Sequence, residues 1–391
     1  MSEPIRVLHF ADVHIGMENY GTTDTSTGLS TRVLDFLRRM DEMIAIAEER
    51  DVDLVIFAGD AFKTRRPDPT YVREFAFRIQ DLATLAPVVM LVGNHDFPMN
   101  QARANSIEIF DTLRVPNVTV APDYELHIID TKRGPVAVGA APYPIQSWIL
   151  EGHNTNGMGI REVDATLQEV LADKIEAITT AADEQDMPRL LTGHFTVSGA
   201  VVGSERNIML GRDVAISLSM LADPRWDYVA LGHIHKHQDL SKGREDVPPV
   251  VYSGSMERID FGEEGDPKGF CWIELERNAT RWEYVALSAR PFVTIRMDLR
   301  ESENPVQDLT RWIQSLDLRD AVVRVVLDLT REGETQLSAA EMSIRRLLRD
   351  KEAFYIAGVS KQVEEPVRVR LGGSPEEMTP MELLEKFFIT K

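Results

Sequence analysis

The stretch Val88-Val89-Met90-Leu91-Val92-Gly93-Asn94-His95-Asp96 decides the reading of this 391-residue chain. Five apolar residues followed at once by glycine, amide, imidazole and carboxylate read as a buried strand ending in a sharp, polar turn. The same construction recurs four times. Val7–Ala11 runs into Asp12-x-His14, Leu54–Ala58 into Gly59-Asp60, Leu190–Thr192 into Gly193-His194, and Tyr228–Leu231 into Gly232-His233-x-His235. The expectation is five strands ending along one edge of a sheet, the edge where ligands gather in open α/β folds.

The residue types suggest the chemistry. In Asp-x-His and His-x-His two side chains leave the chain on the same side, because side chains alternate with period two along a strand. Glycine lets the backbone turn where a side chain would clash. Seven converging groups of this kind suffice for two metal ions. A mixture of imidazole, carboxylate and amide suits Mn²⁺, Fe²⁺ or Zn²⁺, and the lack of thiolates disfavours a structural zinc site. Paired divalent ions activate water and clamp a phosphoryl group, so the expected chemistry is phosphoester hydrolysis.

Composition sets the frame. Apolar residues make up 43% and charged residues 27%, which is ordinary for a soluble globular protein. No apolar run approaches the roughly 20 residues a membrane helix needs. The start, Met-Ser-Glu-Pro-Ile-Arg, lacks the basic and apolar regions of a secretory signal. A single cysteine, Cys271, rules out an intramolecular disulfide and fits a reducing cytoplasm. The net charge of −20 argues against broad, nonspecific nucleic-acid binding. It does not decide what a metal site cleaves, since bound cations dominate local electrostatics.

Strand and helix patterns alternate through the first two thirds, giving a layered α/β domain with a mixed sheet over residues 1–288. Helices are expected at 31–47, 70–84, 101–113 and 162–182, with a loop over 142–160. Residues 289–365 read as a small βαβαβ unit with strands at 292–299, 321–329 and 354–359 and helices at 305–316 and 338–349. Pro366 and Gly372-Gly373-Ser374-Pro375 read as a linker, and residues 380–388 as the start of an amphipathic helix.

The five clusters together resemble the calcineurin-like metallophosphoesterase superfamily, over residues 5 to about 275. The resemblance implies a four-layer αββα sandwich. It also implies that Asp12, His14, Asp60 and His235 hold one divalent ion. Asp60, as the bridge, would hold a second with Asn94, His194 and His233. His95 stays free of metal and faces the leaving oxygen as acid or charge stabiliser, a role that suits imidazole.

Three features narrow the substrate. Lys63 stands where the superfamily's protein phosphatases carry an aspartate partner for the Gly-Asn-His histidine. Residues 93–106, 194–199 (His-Phe-Thr-Val-Ser-Gly) and 252–264 (Tyr-Ser-Gly-Ser-Met-Glu-Arg-Ile-Asp-Phe-Gly-Glu-Glu) resemble the SbcD family, nuclease subunits of DNA double-strand-break processing complexes. A small α/β unit follows, as the DNA-facing capping domain does in that family. The resemblance implies an Mn²⁺-dependent exonuclease and endonuclease acting on double-stranded DNA ends and hairpins. It further implies a homodimer joined through the helices near 70–84 and 101–113, and an SbcC-type coiled-coil ABC ATPase meeting the 380–388 segment. Some members carry a second histidine at the position of Lys63. Here Lys63, Arg65 and Arg66 form a candidate phosphate-contacting patch. A phosphodiesterase or phosphatase acting on small nucleotides, and a catalytically silent DNA-tethering scaffold, remain the alternatives.

Overall fold

The computed structural model describes residues 3–98, 100, 103–155, 157–203, 214–244, 246–363 and 381. The chain divides into one unit of Met1–Phe292 and a second beginning at Val293. The linker read at 366–375 lies outside the described residues, as does the amphipathic segment at 380–388 apart from Met381. Among the described residues no helix is long and apolar enough to cross a membrane.

The first unit is built on two six-stranded sheets. In the first, Ile5–Phe10, Leu54–Phe57, Val88–Leu91 and Val118–Ala121 lie parallel in that order, with Gly269–Leu275 and Arg281–Ala286 added antiparallel beyond Ile5–Phe10. The second orders Gln238–Asp239, Val250–Tyr252, Tyr228–Gly232, Arg189–His194, Gly134–Ala141 and Glu125–Thr131. Period-two alternation explains how the sheets stack. Val7, Leu54 and Ile56 point inward to meet Val138, Leu190 and Ala230 of the other sheet. Leu8, Phe10, Val55 and Phe57 point outward, against Val33, Leu37 and Met40 of helix Thr31–Glu49 and Phe75 and Ile79 of helix Pro69–Leu85. On the far side Leu171, Ile175 and Ile178 of helix Ile160–Asp183 cover Leu191, Val229 and Leu231. Strands buried on both faces read as continuous apolar runs, which is how they appear in the sequence. The result is the four-layer αββα arrangement.

The expectation of a single sheet edge is corrected. Three of the five strand ends that carry the expected ligands belong to the first sheet and two to the second. Both sheets are α/β-like and buried, so apolar runs alone could not separate them. The helix expected over 101–113 is confined, among the described residues, to Glu108–Thr112. There the side-chain carbonyl of Asn105 accepts from the N–H of Ile107, and the N–H of Ser106 donates to the backbone carbonyl of Asp96. Such local bonds compete with the helix and delay its start. The loop expected over 142–160 contains a short helix, Gln146–Ile149.

In the second unit, strands Phe292–Asp298, Val322–Leu329 and Tyr355–Val363 form one sheet, with helices Pro305–Ser315 and Arg331–Asp350. The second helix begins seven residues before the expected 338, because Thr330 caps it by accepting the N–H of Gly333. Its core includes Ile295, Leu309, Ile313, Val325, Leu337 and Ile344.

Candidate metal centre

Three of the five clusters leave their strands through strained turns. Asp12, His14, Asp60 and His233 have φ of 54°, 48°, 64° and 94°, in the left-handed region that costs a non-glycine residue of order 1–3 kcal/mol. Such residues cluster where the surrounding structure holds them to a task. Gly93 has another reason to be glycine. A Cβ there would overlap Oδ1 and the backbone N of Asp60.

All seven expected ligands meet at one place, with His95 beside them. Atoms of Asp12, His14 and His235 lie within 4.8 Å of one another, as do those of Asp12, Asp60 and His194, and those of His14, Asp60 and His95. Oδ2 of Asp60 stands 3.7 Å from Nε2 of His14 and 3.4 Å from Nε2 of His194, between two histidines. Oδ1 of Asn94 is 3.0 Å from both Nε2 of His194 and Nδ1 of His233. Nε2 of His14 and Nε2 of His235 are 3.0 Å apart. Asp12, His14, Asp60, His194, His233 and His235 are all at most 5% exposed.

The donor set fits cations. Nδ1–H of His194 donates to the carbonyl of Ala58 at 2.6 Å, so Nε2 is the ring nitrogen left for a proton or a metal. Nε2 faces the oxygens of Asn94 and Asp60, and electron-rich atoms crowded together in a dry site repel unless a proton or a cation joins them. Burial lowers the pKa of His194, but Asp60 and Asp12 outweigh it and raise it to about 9. Burial pushes His14 well below the ordinary imidazole value, which keeps its ring neutral. For Asp60 burial acts upward, and His194, His95 and His14 overcome it to hold the carboxyl well below the usual range.

His95 is oriented at both ends. Its backbone N–H donates to Oδ1 of Asp60 at 2.8 Å, and its Nδ1–H donates to the carbonyl of Lys63 at 2.8 Å. Nε2 is thereby left to the adjoining cleft of about 320 Å³, which His95 and Lys63 line together with Met17 and Ile259. Lys63 thus lies at the site. Arg65 is exposed and spends its Nε on the carbonyl of Asn94 at 3.2 Å, while Arg66 is exposed.

Three supporting side chains escaped the sequence reading of roles. Asp96 accepts the N–H groups of Asp60, Ala61 and Gly93 at 2.8, 3.1 and 3.1 Å and the hydroxyl of Ser106 at 2.9 Å. It stitches two ligand loops together. Burial pushes its pKa up to about 6. Glu263 and Lys268 stand behind His235. Asp96 and Glu263 lie inside the motifs quoted above, but their partners are remote in sequence, so no local signal assigned the contacts.

Comparison with known proteins agrees with this geometry. The SbcD component of the SbcCD nuclease of Bacillus subtilis (strain 168) is 27% identical, over 79% of this chain and 75% of that protein. The DNA double-strand break repair protein Mre11 of Haloferax volcanii is 25% identical over 86% of this chain, and the SbcD component of the Escherichia coli (strain K12) SbcCD nuclease is 28% identical over 68%. The match spans 63% of each of these two proteins, a little under two thirds. The resemblance to SbcD proteins read from residues 93–106, 194–199 and 252–264 is therefore borne out. The calcineurin-like phosphoesterase profile matches residues 5–237, which contain all five clusters in full. This chain belongs to the calcineurin-like phosphoesterase family.

Proposed function

We propose that this chain is a DNA nuclease subunit of a double-strand-break repair complex, hydrolysing phosphodiester bonds with two divalent ions, Mn²⁺ in the working enzyme. The observation that carries the reading is the convergence of the seven side chains on Asp60, whose Oδ2 sits between His14 and His194. Asp12, His14, Asp60 and His235 would hold one ion, and Asp60, Asn94, His194 and His233 the other. Ions held there would supply Lewis-acid polarisation of the phosphoryl oxygens and a nucleophilic water. The chain's own part is positional. Asp96 fixes the Asp60 and Gly93 turns, and Lys63 fixes the His95 ring so that Nε2, when protonated, can donate to the departing oxygen.

The DNA substrate is supported by the names of the relatives and by the cationic side chains of Lys63, Arg65 and Arg66 beside or near the cleft. In this reading double-stranded ends and hairpins are cut, and the unit from Val293 acts as the DNA-facing cap. An SbcC-type ABC ATPase is the partner, and the cytoplasm is the place of action. A homodimer is supported by apolar side chains left outside the core on and beside the helices after the second and third strands. Phe77, Ile109 and Leu113 are 52%, 43% and 68% exposed, whereas Phe75, Ile79 and Phe110 are buried.

The test is Mn²⁺-dependent degradation of linear duplex and hairpin DNA. Rapid turnover of bis-p-nitrophenyl phosphate with no product from DNA would replace the nuclease by a small-molecule phosphodiesterase.

A further inference from the structure

Behind His235 lies a buried group of charged and polar side chains to which the proposed function assigns no role. Glu263 and Lys268 are each 1% exposed, and Ser255 is fully buried. Oε1 of Glu263 accepts from Nδ1–H of His235 at 2.9 Å. Oε2 takes the ammonium of Lys268 at 2.9 Å and the N–H of Ile259 at 2.9 Å. The Lys268 ammonium also donates to Oγ of Ser255 at 2.8 Å and to the carbonyl of His235 at 3.1 Å, and the Ser255 N–H reaches that carbonyl at 3.0 Å. His235 is therefore held through its ring by Glu263 and through its backbone by Lys268 and Ser255.

We propose that Glu263, held in place by Lys268, is a positioning residue that makes His235 a metal ligand. With Nδ1 committed as a donor, the lone pair of His235 must sit on Nε2, which points toward Nε2 of His14 at 3.0 Å. A carboxylate behind an imidazole fixes its tautomer and ring plane and raises its basicity toward a metal. Stability alone is a poor reason for the arrangement, because a buried ion pair often adds little over apolar packing. The whole device comes from the 252–268 region, so it explains why a stretch with no ligand of its own accompanies the five clusters. The inference rests on the reading of His235 as a metal ligand.

The experiment is calorimetric titration of the full chain with Mn²⁺, beside thermal melting of each protein without added metal. The wild type is expected to bind two ions. Glu263→Gln should keep its fold but bind one of the two about 10–100-fold more weakly, leaving the other unchanged. The double variant Glu263→Gln/Lys268→Met removes the ammonium that the first change leaves buried without its counter-charge. It should melt at or above the single variant yet bind Mn²⁺ as weakly, and it carries the test should the single variant fail to fold. Recovery of wild-type affinity in the double variant would show a purely structural role and overturn the proposal. Two ions bound with unchanged affinity by Glu263→Gln would overturn it alone. A wild type that binds no Mn²⁺ would instead overturn the metal reading of the whole site, and the proposal with it.

Discussion

The backbone N–H of His233 donates to both carboxylate oxygens of Asp12, at 3.0 and 3.1 Å, and so ties together two strand ends that belong to different sheets. Both residues are buried and both hold left-handed backbone angles. The site therefore exists only where the two sheets of the sandwich are held face to face.

Two roles of Asp12 can be separated. Asp12→Ala removes the carboxylate that accepts the buried N–H of His233 and should cost about 1–3 kcal/mol of stability. Asp12→Asn restores an acceptor and most of that stability, yet lacks the anionic ligand. Melting temperature should recover in the asparagine variant while Mn²⁺ stoichiometry does not.

His95→Asn tests the proposed acid. The variant should bind Mn²⁺ as the wild type does and lose about 10²- to 10⁴-fold in kcat on duplex DNA. Single-turnover cleavage rates beside metal titrations decide the matter. Equal rates would remove His95 from the chemistry.

Asp96→Ala withdraws the acceptor from three buried N–H groups, those of Asp60, Ala61 and Gly93. At about 1–3 kcal/mol for each unsatisfied group, the cost should be several kcal/mol, with loss of metal binding because Asp60 is released. Denaturant unfolding measures the first effect and calorimetry the second.

Metal uptake should depend on pH with a defined sign. A cation and a proton compete for Nε2 of His194, whose pKa is raised to about 9 chiefly by Asp60 and Asp12 against burial. Below pH 9 that proton must leave before the metal binds, so affinity should fall as pH falls and binding should release protons. Titrations at about pH 7.5 in two buffers of different ionisation enthalpy reveal the release. Identical heats in the two would contradict the competition.

Arg66 is the cleanest probe of the phosphate patch, because Arg65 also supports the Asn94 backbone. Arg66→Ala should weaken DNA binding evenly across sequences and reduce the slope of log K against log salt by about 1. An unchanged slope would place Arg66 away from the DNA path.

What the sequence determined by itself was local. Each candidate ligand follows within a few residues of its own apolar run, with glycine opening four of the five turns, so strand ends, residue types and the family could be read without coordinates. Most helices and strands were legible for the same reason. The tertiary structure alone decided how those ends combine: three in one sheet, two in the other, joined by Asp12 and the N–H of His233 across 221 positions. It also decided that Asp96 reaches back 36 positions to hold the N–H of Asp60, and that Glu263 reaches back 28 to hold His235. These are hydrogen bonds between remote residues, made where neighbouring strands of one sheet, or the two facing sheets, bring the chain together. A periodicity of two or of 3.6 residues carries no record of them.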